Sequence, residues 1–130
     1  MKRIVVLGHG GYAEGMRQNL EMIIGPSGNM YFVDLTAEGG LAGLESQVNG
    51  LLEGFDDDEV LFACDLLGAS PFRVAAMLCA NNPGRYYTVA GLNTAAFLEV
   101  SINAQGDMPV AELAKLAVEA AKTAVAQFPE

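Results

Sequence analysis

A chain of 130 residues, 52% hydrophobic with a mean hydropathy of +0.28, can close one domain over residues 1–130 without disulfide or metal staples. Seven Lys and Arg against sixteen Asp and Glu leave a net charge of −9 and a pI near 4.4, a field that argues against nucleic acid and anionic membrane surfaces as partners. No uncharged stretch approaches the roughly 20 apolar residues of a membrane span, and the run after Met1-Lys2-Arg3 is too short for a secretory signal core, so no membrane insertion and a cytoplasmic location are expected.

Ile4-Val5-Val6-Leu7 places a first strand over residues 3–7, which stops at Gly8-His9-Gly10-Gly11. His9 is the single histidine of the chain. Helix one is expected from about Gly11 to Ile24, with Ala13, Met16, Leu20, Ile23 and Ile24 on one face and Gly25-Pro26 as its stop. Met30 to Leu35 reads as strand two, with Asp34 near its carboxyl end. Leu41, Leu44, Val48, Leu51, Leu52 and Phe55 repeat at helical spacing behind Gly39-Gly40 and predict helix two. The acidic turn Asp56 to Glu59 leads into Val60-Leu61-Phe62-Ala63-Cys64, a strand buried on both faces, ended by Asp65.

Ser70-Pro71 reads as a hydroxyl N-cap followed by proline at the first helical position of helix three, which Asn81-Asn82-Pro83-Gly84 ends. Tyr86 to Leu92 predicts strand four, and Asn93 or Thr94 caps a helix through about Ile102. The last helix turns Val110, Leu113, Leu116, Ala117, Ala120, Ala121 and Val125 inward and Lys115 and Lys122 outward. Cys64 and Cys79 lie in apolar runs without metal-ligand spacing, so both are expected to be free, buried thiols, with no metal site and no cofactor.

Alternating strands and helices predict an α/β three-layer sandwich: a mostly parallel sheet of four or five strands, order 2-1-3-4, with helices on both faces. The winding then reverses between strands one and three, so the loop carrying His9 and the loop running from Asp65 to Ser70 face each other where ligands bind. A neutral imidazole can accept and release a phosphoryl group, and Asp65 can fix its tautomer by taking a hydrogen bond from one ring nitrogen. The amides of Gly10 and Gly11, the Ser70 hydroxyl and Arg73 are the candidate donors to the phosphoryl group.

Leu-Gly-His9-Gly-Gly-Tyr-Ala-Glu-Gly after strand one, together with Asp65-Leu-Leu-Gly-Ala-Ser70-Pro71-Phe72 after strand three, resembles the mannose-family IIA domains of the bacterial phosphoenolpyruvate-dependent sugar phosphotransferase system. The likeness continues through Gly91-Leu92-Asn93 and the last helix. It implies a phosphocarrier whose His9 takes a phosphoryl group from phospho-HPr and hands it to a IIB component while membrane IIC and IID subunits import the sugar. It further implies that Asp65 holds the imidazole and that Ser70 lies beside the phosphoryl site. A homodimer is implied as well, with an antiparallel edge strand from the partner's C-terminus, although Phe128-Pro129-Glu130 leaves such a strand little length. Leu66, Ala69 and Arg73 stand where the mannose-transporter pattern has threonine, glycine and asparagine.

Two other functions fit parts of the chain. A related domain supplies phosphate to dihydroxyacetone kinase, although Gly-Ala-Ser70-Pro71-Phe72 favours the sugar-transport branch. Gly8-x-Gly10-x-x-Ala13, with Asp34 ending the next strand, also meets a loose dinucleotide fingerprint, which leaves the Asp65 to Phe72 motif unaccounted for.

Overall fold

The structure is a computed structural model that describes residues 2–130. Its elements run β1 (Lys2–His9), α1 (Tyr12–Ile24), β2 (Met30–Leu35), α2 (Gly40–Glu53), β3 (Glu59–Cys64), α3 (Ser70–Asn81), β4 (Tyr86–Ala90), α4 (Thr94–Asn103) and α5 (Val110–Ala124). The strands form one parallel sheet in the order β2-β1-β3-β4, as the alternating pattern predicts. Among the described residues no antiparallel fifth strand joins it.

Strand periodicity divides the core in two. Ile4 and Val6 of β1 and Leu61 and Ala63 of β3 face one side, where α1, α4 and α5 contribute Leu20, Phe97, Val100 and Leu113. Val5, Leu7, Val60 and Phe62 face the other, against Leu44 and Val48 of α2 and Ala75 of α3. The two central strands are therefore apolar at every position over Ile4–Leu7 and Val60–Cys64, and each of those residues is 0% or 1% exposed. Such a slab holds the carboxyl ends of β1 and β3 in fixed register, Leu7 opposite Cys64.

Several helix-face expectations are corrected. Ile23 and Ile24, in the last turn of α1, are exposed. Leu41, in the first turn of α2, is exposed too, and Phe55 is buried but lies beyond the end of that helix. Strand four stops at Ala90, and α5 stops before Val125, which is exposed. Ala69 rather than Ser70 is the N-cap of α3, so Ser70 is the first helical residue and its hydroxyl caps nothing. Cys64 is buried and free as expected; Cys79 is free but half-buried. Among the described residues no helix is long and apolar enough to cross a membrane.

Candidate functional site

The site begins where the two central strands end. Beyond β3 the Asp65 amide still donates to the Leu7 carbonyl at 3.0 Å, which extends the ladder by one residue and brings the Asp65 side chain beside His9. Asp65 Oδ2 accepts the His9 backbone N–H at 2.9 Å and lies 2.7 Å from His9 Nδ1. A carboxylate only accepts, so Nδ1 carries the ring proton and Nε2 keeps its lone pair. The His9 side chain is 43% exposed and that of Asp65 15%, so the unprotonated nitrogen belongs to an accessible ring held by a largely covered carboxylate.

The two glycine-rich expectations separate at this point. Gly10 has φ +63°, the left-handed turn that carries the chain from β1 toward α1, and its amide donates to the Leu35 carbonyl at 2.9 Å. Gly10 is therefore not the free donor that the sequence suggested: its N–H is spent on tying the loop to β2. The Gly11 amide has no partner among the described residues. Further into α1, Asp34 accepts from the amides of Ala13 at 2.8 Å and Glu14 at 3.1 Å, so a carboxylate already occupies the positive end of that helix. Cofactor pyrophosphate would need the same place, and the dinucleotide reading of Gly8-x-Gly10 fails there.

Across the switch point α3 is arranged in the opposite way. Its N-cap, Ala69, supplies no side-chain acceptor, and the amides of Ser70 and Phe72 bond no described residue. Ser70 is exposed on the first turn. Arg73 Nε donates to the Gly68 carbonyl at 2.9 Å, which ties the guanidinium to the Asp65–Ser70 loop. The open anion-binding end on this rim is thus that of α3, with Arg73 bracing the loop that leads into it.

The sequence reading missed two residues. Asp34 stood out only as a strand-end carboxylate, and its capping of α1 depends on a helix that follows a different strand. Tyr12 was passed over, although its ring lies on Gly8: a Cβ at Gly8 would come within 2.4 Å of Tyr12 Cδ1. The spacing of four between a glycine at the strand end and an aromatic in the first helical turn was the available signal.

Among the described residues no group of three or more His, Cys, Asp or Glu side chains could hold a metal. Clefts of about 530, 500 and 550 Å³ lie at the Lys2–Asn29 end, along the β2 edge and along the β4 edge. The rim beside Asp65 instead exposes Leu66 and Leu67, at 60% and 73%. An accessible imidazole on an open rim with exposed leucines suits a macromolecular partner better than an engulfed ligand.

Comparison with known proteins gives a consistent set. The family model EIIA-man, described as the PTS system fructose IIA component, matches residues 3–118. The PTS system mannose-specific EIIAB component of Escherichia coli K12 is 30% identical over 123 residues, 94% of this chain, and the chain spans 38% of that relative's length. The PTS system sorbose-specific EIIA component of Lacticaseibacillus casei is 29% identical over 85% of this chain and 78% of its own. Among solved structures, the mannose/sorbose specific IIA subunit of the phosphotransferase system from Enterococcus faecalis superposes with a TM-score of 0.89 at 30% identity, covering 100% of this chain and 97% of that one.

Proposed function

The chain belongs to the EIIA-man family of phosphotransferase-system IIA components, and from that premise we propose that it is a cytoplasmic phosphocarrier that accepts a phosphoryl group on His9 from phospho-HPr and passes it to a IIB component. The observation that carries this reading is the 2.7 Å contact between His9 Nδ1 and Asp65 Oδ2, which leaves Nε2 as the nucleophile.

In the first step the Nε2 lone pair attacks phosphorus, a new N–P bond forms, and the bond from phosphorus to the donor breaks with its electron pair left on the donor. The proton stays on Nδ1, so the phosphorylated ring is cationic and the Asp65 carboxylate balances it. Transfer onward is the same step run toward the IIB acceptor. Because the phosphoryl group carries its charge throughout, catalysis rests on positioning and on donors to its oxygens. The amides of Gly11, Ser70 and Phe72, the α3 N-terminus and the Ser70 hydroxyl supply those donors within an acidic protein; Arg73 contributes by holding the loop. HPr and IIB dock on the rim around Leu66 and Leu67, and membrane IIC and IID subunits act only downstream.

A second copy pairs along β4, an edge strand of the sheet. There Tyr87, Val89, Ala114 and Val118 line the 550 Å³ groove, and Val125 and Phe128, exposed at 77% and 97%, follow α5. Incubation with phosphoenolpyruvate, enzyme I and HPr should add one acid-labile phosphoryl group to the intact mass, and His9→Ala should abolish the gain. A gain that persists in the alanine variant contradicts the assignment.

A further inference from the structure

Among the described residues two buried side-chain polar atoms lack a hydrogen-bond partner, and both are at this site: Tyr12 Oη and Asp65 Oδ1. One is a donor and the other an acceptor. Leaving either unpaired carries the full cost of removing it from water, so the two together mark an unfinished polar connection rather than two accidents. The Tyr12 ring is pinned against the Gly8 backbone, one residue before His9, and no side chain can be added at Gly8 without displacing it. Asp65, for its part, commits Oδ2 entirely to His9, which leaves Oδ1 as the one oxygen through which another group can orient the carboxylate.

We propose that Tyr12 is a positioning residue for His9, acting through Asp65: its buried hydroxyl serves Asp65 Oδ1 through a bridging water and so fixes the carboxylate with Oδ2 toward both N–H groups of His9. Burial first, and the neighbouring Asp65 charge second, push the Tyr12 phenol up to about 12, so the hydroxyl remains a donor at neutral pH. A hydrogen bond into Oδ1 also draws negative charge away from Oδ2. The carboxylate then stabilises a charged ring less than it would without that bond.

The other ionisable groups on the surrounding elements are already committed or neutral. Asp34 of β2 holds the α1 amides, Glu14 of α1 is paired with Arg17, and Arg73 of α3 is bound to the Gly68 carbonyl. Cys64 of β3 is pushed up to about 12, chiefly by burial, and stays a thiol. Among these ionisable groups Tyr12 keeps an uncommitted donor that senses the Asp65 charge.

The kinetic consequence rests on His9 being the phosphorylated residue, but the titration of His9 does not, so the two ideas fail separately. Because the chain has one histidine, its ring resonances report the site without assignment. In Tyr12→Phe the ratio of protonated to neutral His9 at fixed pH should rise by about threefold, and the phosphoryl-transfer rate measured from phospho-HPr should shift its acid limb upward in pH. In an Asp65→Asn background the same Tyr12 substitution should leave His9 titration unchanged, because the carboxylate charge that the hydroxyl would redistribute is gone. An unaltered His9 titration in Tyr12→Phe, or an equal shift with and without the Asp65 carboxylate, overturns the proposal and leaves Tyr12 as packing alone.

Discussion

One oxygen of Asp65 serves two N–H groups of a single residue, and that sharing fixes both where His9 sits and which ring nitrogen is bare. Asp65→Asn replaces an acceptor by a group with one acceptor and one donor, so the ring loses its enforced tautomer while the fold keeps its shape. Phosphoryl transfer from phospho-HPr should slow by about a hundredfold, with the thermal unfolding midpoint nearly unchanged; an unaltered rate removes the orienting role. His9 and Asp65 were legible in the sequence because each closes an apolar run of strand length, and the winding rule makes those two strands neighbours. Gly10 was not, since the acceptor that consumes its amide, the Leu35 carbonyl, belongs to another strand and is invisible to local pattern.

The entry to α1 is an element built by its neighbours. Gly11 gives it no side-chain cap, and Asp34 reaches over from β2 to accept the Ala13 and Glu14 amides. Asp34→Ala should destabilise the protein by about 1 kcal/mol, read from the urea midpoint, because two helix-end amides lose their partner. No loss of stability would mean that the cap contributes nothing. Gly8→Val tests the packing below it: the added side chain collides with Tyr12, and the cost of about 1–3 kcal/mol should appear as a lowered midpoint together with weaker phosphoryl acceptance. Element boundaries in the sequence were good to a residue or two wherever apolar periodicity met a glycine or proline. Ile23, Ile24 and Leu41 keep helical spacing but lie exposed in the terminal turns of their helices, and the Ser70-Pro71 signature is offset by one because Pro71 is the second rather than the first residue of α3.

For the whole molecule, alkaline pH probes the buried core on which the rim rests. Burial pushes the Cys64 thiol up to about 12 and the Cys79 thiol up to about 11, from an ordinary value of 9.0. Raised folded values mean that stability is intact below pH 9 and declines as pH rises above it, where the unfolded chain releases protons that the folded chain retains. The decline should approach about 1.4 kcal/mol per pH unit for Cys64 alone up to the region of pH 12. Urea midpoints that stay level from pH 8 to 11 would show that these thiols are not shielded. The parallel order β2-β1-β3-β4 was legible from the alternation of strands and helices. Which nitrogen of His9 is offered at the rim is read directly by nitrogen-15 and phosphorus-31 NMR of the phosphorylated, ring-labelled protein. Phosphorus coupled to Nε2, with the proton retained on Nδ1, is the predicted spectrum; phosphorus on Nδ1, the nitrogen that Asp65 holds, would contradict it.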